Sequence, residues 1–203
     1  IALVNGEPKI LTLKEMIVQY IAFQEDVVRR RTAYDLEKAK QRAHLLQGFM
    51  LAIDNIDEVI SILRASKNPA EGKERLMERF KEADLSNLLH RAMDDKYKNI
   101  EFEHTIGLSA EQAEAIVQMR LGQLTGLERE KIESELADLM GKIHEFMAIL
   151  ADEAKVKEII SSELEVIKKK YGDERRTSIE DVSGEVDIED LIPVEESVIT
   201  FTN

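Results

Sequence analysis

The sequence predicts a mostly α fold: a long antiparallel coiled-coil stalk carrying a small helical globular knob, with a short β-hairpin at the N-terminus. Leu36, Ala39, Ala43, Leu46, Met50 and Ile53 recur at alternating spacings of three and four residues, and Ile132, Leu136, Leu139, Ile143, Phe146 and Leu150 do the same further on. That alternation is a period of about 3.5 residues, which keeps one apolar stripe turned toward a partner helix. Neither stripe can be buried alone and the two match in length. They therefore pair antiparallel, and residues 54 to 131 cap the far end. Ala39 and Ala43 are expected beside Ile143 and Phe146, small against large. Composition agrees: 34% of residues are charged and 5% aromatic, the balance of a helical scaffold rather than of a compact enzyme.

Residues 1 to 32 read as a hairpin and a first helix. Ile1 to Val4 is extended, Asn5-Gly6 is the turn and Lys9 to Leu11 the returning strand. Thr12 with Glu15 makes a capping box, with Leu11 stapled to Met16, so a helix starts at Leu13. Its stripe of Ile17, Ile21, Gln24 and Val28 is out of register with Leu36 onward, and Thr32-x-x-Asp35 offers a second cap. A break is therefore expected near Arg31. The ascending coiled-coil helix fills 33 to 54.

The knob, 55 to 126, opens with a helix from Asn55-x-x-Glu58 to about Ala65. Another follows from Asn68-Pro69, where proline takes the first helical position and its missing N–H costs nothing. Leu76, Met77 and Phe80 give that helix its apolar face. A third short helix is read near Leu85 to Met93, then an irregular stretch to Leu108. Ser109-x-x-Gln112 caps a helix carrying Ala113, Ile116, Val117 and Leu121. Thr125-x-x-Glu128 starts the descent, 127 to 172, with a reset at Asp152. The descent ends at Tyr171-Gly172, glycine serving as a left-handed cap behind three lysines. Residues 173 to 203 read as an acidic linker followed by one strand, Val198 to Thr202, of a further domain. The initial Ile and this lone strand mark the chain as an excised piece.

Cysteine is absent, so there is no disulfide framework or thiolate zinc site, which points to an intracellular chain. The apolar runs are too short to span a membrane. A net charge of −13 argues against broad nucleic-acid binding, because phosphate repels an acidic surface. Two basic runs stand against that balance, Arg29, Arg30 and Arg31, and Lys168, Lys169 and Lys170. The first run is the candidate DNA contact, with ion pairing at a helix junction as its structural alternative. Nine glycines form no phosphate loop of the GxxxxGK or GxGxxG kind. Antiparallel pairing would set His44 level with His144, a geometry for a two-His metal site. Solvated positions beside the seam are the simpler reading, and no metal is expected. Carboxylates alternate with Lys and Arg as on solvated faces, and no tyrosine has the setting of an activated nucleophile. No catalytic residue is assigned.

Four stretches carry a family resemblance: Glu7-Pro-Lys-Ile-Leu-Thr-Leu-Lys-Glu-Met16, Arg30-Arg-Thr-Ala-Tyr-Asp-Leu-Glu-Lys-Ala-Lys-Gln-Arg-Ala-His44, Gln112-Ala-Glu-Ala-Ile-Val-Gln-Met-Arg-Leu-Gly-Gln-Leu-Thr-Gly-Leu-Glu128 and Tyr171-Gly-Asp-Glu-Arg-Arg-Thr177. Together they resemble the A-subunit family of bacterial DNA gyrase, a type IIA topoisomerase, over essentially the whole chain. Asp190 to Thr202 is similar to the junction into that family's C-terminal DNA-wrapping domain, which favours gyrase over topoisomerase IV.

The resemblance implies that residues 33 to 171 form the stalk and the terminal dimerisation knob, or exit gate. The preceding helix would be the tower base beside a DNA-cleavage domain. It implies a bacterial, cytoplasmic, chromosome-associated parent enzyme that cuts one duplex through paired tyrosines, passes a second through it and introduces negative supercoils. ATP and Mg would be held by the partner, the gyrase B subunit, in an assembly of two A and two B subunits on double-stranded DNA, with no membrane. No cofactor is implied for this stretch itself. The family's nucleophile lies in an Arg-Tyr-Thr context, and neither Arg-Tyr nor the Gln-Arg-Gly wrapping motif occurs here. Alone, this stretch is not expected to cleave DNA, bind ATP or supercoil. A homodimer contact is expected in the Ser109 to Thr125 segment, with Met119, Arg120, Leu121 and Leu124 as candidates. The competing reading makes Ile116, Val117 and Leu121 intradomain core. The alternatives for the whole chain are a segment of the topoisomerase IV A subunit, or a helical protein–protein interaction module without DNA function.

Overall fold

The computed structural model describes residues 2–85, 106–119 and 126–178. The chain divides into two compact units, Ile1–Val166 and Ile167–Asn203. A two-stranded antiparallel hairpin, β1 (Ala2–Val4) and β2 (Glu7–Lys9), opens the first. Asn5 and Gly6 both have positive φ, the turn that a two-residue hairpin loop requires. That tight loop pairs Val4 with Glu7, so the second strand runs from Glu7 to Lys9 rather than from Lys9 to Leu11.

Helix α1 (Leu13–Asp54) starts at the expected capping box: the Glu15 N–H donates to Thr12 Oγ1 at 3.3 Å and the Thr12 N–H to Glu15 Oε2 at 2.7 Å. These contacts hold the Glu15 carboxyl below its ordinary range. The expected break near Arg31 does not occur, and α1 runs unbroken through it. Thr32, read as a second cap, is buried in mid-helix at 5% exposure. The stripe changes register there because the partner changes. From Ala39 upward α1 packs on the returning stalk helix, whereas Val28 packs with Val156 and Ile160 of the helix that follows it.

Those two helices are numbered here α5 (Gly126–Ala151) and α6 (Glu153–Tyr171). They meet at the expected reset, where Asp152 Oδ1 accepts from the Ala154 N–H at 2.9 Å. Three contacts fix the stalk's direction and level. Arg129 bonds Asp54 at 2.8 Å, Arg42 grips Glu135 through two hydrogen bonds of 2.7 and 3.0 Å, and an Arg29 guanidinium N–H reaches the Leu150 carbonyl oxygen at 3.5 Å. Numbers fall along α1 as they rise along α5, so the helices are antiparallel. The level places Ala39 and Ala43 opposite Met140 and Leu136. The expected partners belong to the same core, Ile143 one turn beyond Met140 and Phe146 packed at its edge. A heptad pattern fixes pairing only to within whole heptads; the Arg42–Glu135 and Arg129–Asp54 pairs select among them.

The stalk core is Ala39, Ala43, Leu46 and Met50 of α1 against Ile132, Leu136, Met140 and Ile143 of α5. Leu36, Ile53, Leu139 and Phe146 pack on it half-buried. Leu139 therefore flanks the seam and Met140, which the alternating pattern skips, occupies it fully buried. Leu150 is half-buried beyond that core.

At the tip, α1 passes into α2 (Ile56–Ala65) and α3 (Pro69–Arg79). Asn55 does not cap α2 with its side chain but donates back to the Leu51 carbonyl oxygen at 2.9 Å, closing α1 instead. Asn68 caps α3 as expected, accepting from the Glu71 N–H at 2.8 Å. Helix α4 (Ala110–Val117) follows, with the Ser109–Gln112 capping box formed. The helix expected near Leu85 to Met93 lies outside the described residues, as do Thr125 and the strand Val198 to Thr202.

In the second unit, the Gly172 N–H donates to the Lys168 carbonyl oxygen at 2.7 Å where α6 ends. Gly172 is not left-handed as expected. A Cβ there would instead meet the Lys168 carbonyl oxygen at 2.5 Å, a close approach that still needs glycine.

Candidate functional site

The knob is built over the last turns of α1. Leu51 and Ala52 supply its floor, Val59 of α2, Leu76 of α3 and Phe80 its sides, and Ala113 and Ile116 of α4 its roof. Ion pairs brace the rim: Arg79 with Glu58, and Lys73 with Glu114 at 3.2 Å. Hydrogen bonds from Lys73 and Gln118 hold the Glu114 carboxyl below its ordinary range. An isolated antiparallel bridge, Asp84 to Ile106, brings the chain back to the knob. Gly107 then turns with φ +81°, and any Cβ there would lie 2.5 Å from the Lys81 carbonyl oxygen.

Helix α4 leads to the candidate dimer contact. Met119 is half-buried, its N–H bonded to the Ile116 carbonyl oxygen at 3.1 Å. Arg120, Leu121 and Leu124 lie outside the described residues. Ile116 is knob core at 4% exposure and Val117 packs against that core, so for these two the intradomain reading describes their place.

The start of α4 seats on the stalk. Ser109 Oγ lies 2.8 Å from His44 Nε2, and Gln112 Nε2 donates to the His44 carbonyl oxygen at 2.7 Å. Gly48, one turn along α1, admits the Gln112 side chain; a Cβ there would sit 2.8 Å from Gln112 Cβ. Sequence spacing marks Ser109-x-x-Gln112 only as a cap. The mid-helix Gly48 is the one signal that something approaches α1 closely. Below this seat is a cleft of about 910 Å³ lined by α1, α3 and residues 106 to 111. Its charged lining is mixed, with Glu37, Glu74, Glu78 and Glu111 beside Lys40 and Lys81.

The histidines are not level: Arg42, two residues before His44, bonds Glu135, which lies more than two turns along α5 from His144, and His44 faces Ser109 and Gln112. Among the described residues no cluster of three or more His, Asp or Glu side chains has a metal-holding arrangement, and no helix is long and apolar enough to cross a membrane. Tyr20, Tyr34 and Tyr171 are exposed on helix surfaces, and Tyr97 lies outside the described residues.

Each arginine of the first basic run has a protein contact. Arg29 reaches the end of α5, Arg30 pairs with Asp26 at 2.9 Å, and Arg31 pairs with Glu163 of α6 at 2.6 Å. Arg29 and Arg31 thus fasten the stalk helices together, as the helix-junction alternative expects. Lys168, Lys169 and Lys170 are exposed in the last turn of α6.

A family model for the A subunit of DNA gyrase/topoisomerase IV matches residues 1–165. The chain is 48% identical over all of its 203 residues to the DNA gyrase A subunit of Clostridium acetobutylicum. It is 45% identical to the DNA gyrase A subunits of Halalkalibacterium halodurans and of Staphylococcus aureus strain MRSA252, again over the whole chain. It spans about a fifth of the length of these curated relatives, 21%, 21% and 20% respectively.

Proposed function

The chain belongs to the DNA gyrase/topoisomerase IV A-subunit family, and from that premise we propose that it is the coiled-coil and exit-gate dimerisation segment of a gyrase A subunit. The observation that carries the proposal is the antiparallel stalk holding a separately cored knob at one end, with α4 leading straight to Met119. Two copies joined knob to knob about a twofold axis, each contributing the same patch, enclose a space between their stalks. Opening the knob contact lets a transported duplex out; keeping it closed holds the two halves together while the other duplex is cut.

Charge suits that task. The whole chain carries a net charge of −13, with ten acidic side chains against two arginines in residues 173–203, so it has no general attraction for phosphate and a duplex passing between two copies is not held. Arg30, whose side chain is 67% exposed, is the residue of the Arg29–Arg31 run most available to touch DNA. Arg29 and Arg31 would first have to leave α5 and α6. The parent enzyme in this proposal is an ATP-dependent type II topoisomerase, an isomerase, bacterial and cytoplasmic on the chromosome. It works with the gyrase B subunit in an assembly of two copies of each, and the B subunit holds ATP and Mg. This stretch contributes geometry and no bond-making group. The family model covers topoisomerase IV as well, which keeps as the second reading a segment of the topoisomerase IV A subunit.

Two measurements test this. Light scattering should give twice the chain mass; a monomer at micromolar concentration contradicts the gate. Joined to the remaining length of a gyrase A subunit, then mixed with the B subunit, the chain should support plasmid supercoiling. Relaxation without supercoiling would favour topoisomerase IV.

A further inference from the structure

The seat of α4 on α1 is more than a helix cap. Gln112 is fully buried, and its amide orientation is settled at both ends. Its Oε1 accepts from the Ser109 N–H at 3.0 Å, closing the capping box, while its Nε2 donates to the His44 carbonyl oxygen at 2.7 Å and lies 3.3 Å from His44 Nδ1. Nδ1 therefore faces a donor and serves as acceptor, leaving the ring's N–H on Nε2 to donate to Ser109 Oγ at 2.8 Å. The same Ser109 Oγ accepts from the Gln112 N–H at 3.1 Å. One side chain thus caps the knob helix and ties it to the stalk backbone, while Gly48, having no Cβ, lets that side chain come this close to α1.

We infer that His44, Gly48, Ser109 and Gln112 form a clamp that sets the direction in which α4 leaves the stalk, and with it how Met119 and the residues after it are presented to a second copy. Gln112 is a positioning residue in this scheme: it touches no partner and acts through the aim of α4. The effect on dimerisation rests on the gate proposal, whereas the clamp can be read within one chain.

Glutamate at position 112 separates the two roles, because a Glu–Ser pair still closes the capping box. Its second oxygen, however, faces the His44 carbonyl oxygen where a donor stood. Gly48→Ala perturbs the clamp from the other side without replacing a polar group, by pressing a methyl onto the Gln112 side chain, and it also strengthens α1. The chain has no cysteine, so Glu111→Cys on α4 and Lys142→Cys on the stalk accept a fluorophore pair. Labelled chain diluted into excess unlabelled chain reports distances within one molecule. Both Gln112→Glu and Gly48→Ala should widen and shift the energy-transfer distribution. Amide exchange in α4 should speed up roughly tenfold, the equivalent of one buried hydrogen bond, with helix content kept. Unchanged distributions and exchange in both variants would overturn the clamp. A change in Gly48→Ala alone would also overturn it, showing that close packing and not the polar tie holds α4. If Gln112→Glu does not fold, Gln112→Leu, which also removes the donor to the His44 backbone carbonyl, takes its place with the same expected widening. Chain mass, measured alongside, reports on the gate separately: a monomeric wild type with an intact clamp refutes only the gate.

Discussion

Leu136→Ala should destabilise the stalk by about 3 kcal/mol. Leu136 is fully buried in the seam, and the residues level with it on α1 include the small Ala43. A close-packed core relaxes only in part, so some of the vacated volume stays empty. Leucine-to-alanine changes at such sites cost roughly 2.7 to 5 kcal/mol, the transfer term plus the cavity term. Alanine's better helix propensity returns only a few tenths at most. Half-buried Leu139 should behave differently. It flanks the seam and can leave its site to solvent, so Leu139→Ala should cost about 1 kcal/mol. Urea unfolding followed by far-ultraviolet circular dichroism gives both values on one scale. For a chain of this size the larger loss corresponds to a melting shift of about 6 to 12 °C. Equal losses at 136 and 139, or a larger one at 139, would refute the seam assignment and with it the register.

Glu135 is held below its ordinary carboxyl value of 4.5 by its hydrogen bonds with Arg42. A lowered folded-state value stabilises above the unfolded value and is lost as pH falls through the folded one, so the contribution fades below about pH 4.5. The pair is nearly half exposed, so a double-mutant cycle with Arg42→Ala and Glu135→Ala at neutral pH should find no more than about 1 kcal/mol. Gly107→Ala should destabilise the knob by about 1 to 3 kcal/mol, through strain at positive φ and collision with the Lys81 carbonyl oxygen, measured by thermal unfolding. Gln47 is 1% exposed, and among the described residues neither polar atom of its amide has a hydrogen-bond partner. Gln47→Met, similar in shape, should therefore stabilise the chain by about 1 kcal/mol in the same urea assay. Thr12→Ala should leave global unfolding almost unchanged while hastening amide exchange over residues 13 to 16.

Local chemistry was the most legible part of the sequence. Thr12-x-x-Glu15, Asn68-Pro69, Ser109-x-x-Gln112 and the reset at Asp152 each place a helix boundary, because a cap is satisfied within four residues of itself. The two seams were equally plain, since neither stripe could face water along its length. What a period cannot carry is its own origin. Arg42 and Glu135 set the level, which puts Met140 and Leu136 directly opposite Ala39 and Ala43 with Ile143 a turn further on, and strict alternation of threes and fours favours Leu139 over the seam residue Met140. The expected break at Arg31 rested on a change of register that comes from a second partner, α6, behind Thr32 and Val28. The position of Gly172 after three lysines suggests a left-handed cap, although crowding, not φ, is what makes glycine necessary there. The Ser109–Gln112 pair was legible as a cap, but its reach to His44 spans more than sixty residues and depends on where α4 lands. For the candidate interface, spacing could order the apolar residues along α4 but could not say which face the knob core takes. Ile116 turns inward and Met119 sits half-buried at the exit.

The proposed gate requires the knob to be the surface on which two copies meet. Single cysteines at Met119 and at Leu124, each in a chain otherwise free of cysteine, test it with a short bifunctional maleimide. Knob-to-knob pairing gives rapid, near-complete conversion of the Met119→Cys or Leu124→Cys chain to a symmetric covalent dimer, with a control cysteine at the stalk position Lys142 staying monomeric. Cross-linking at Lys142 with none at the knob would contradict it.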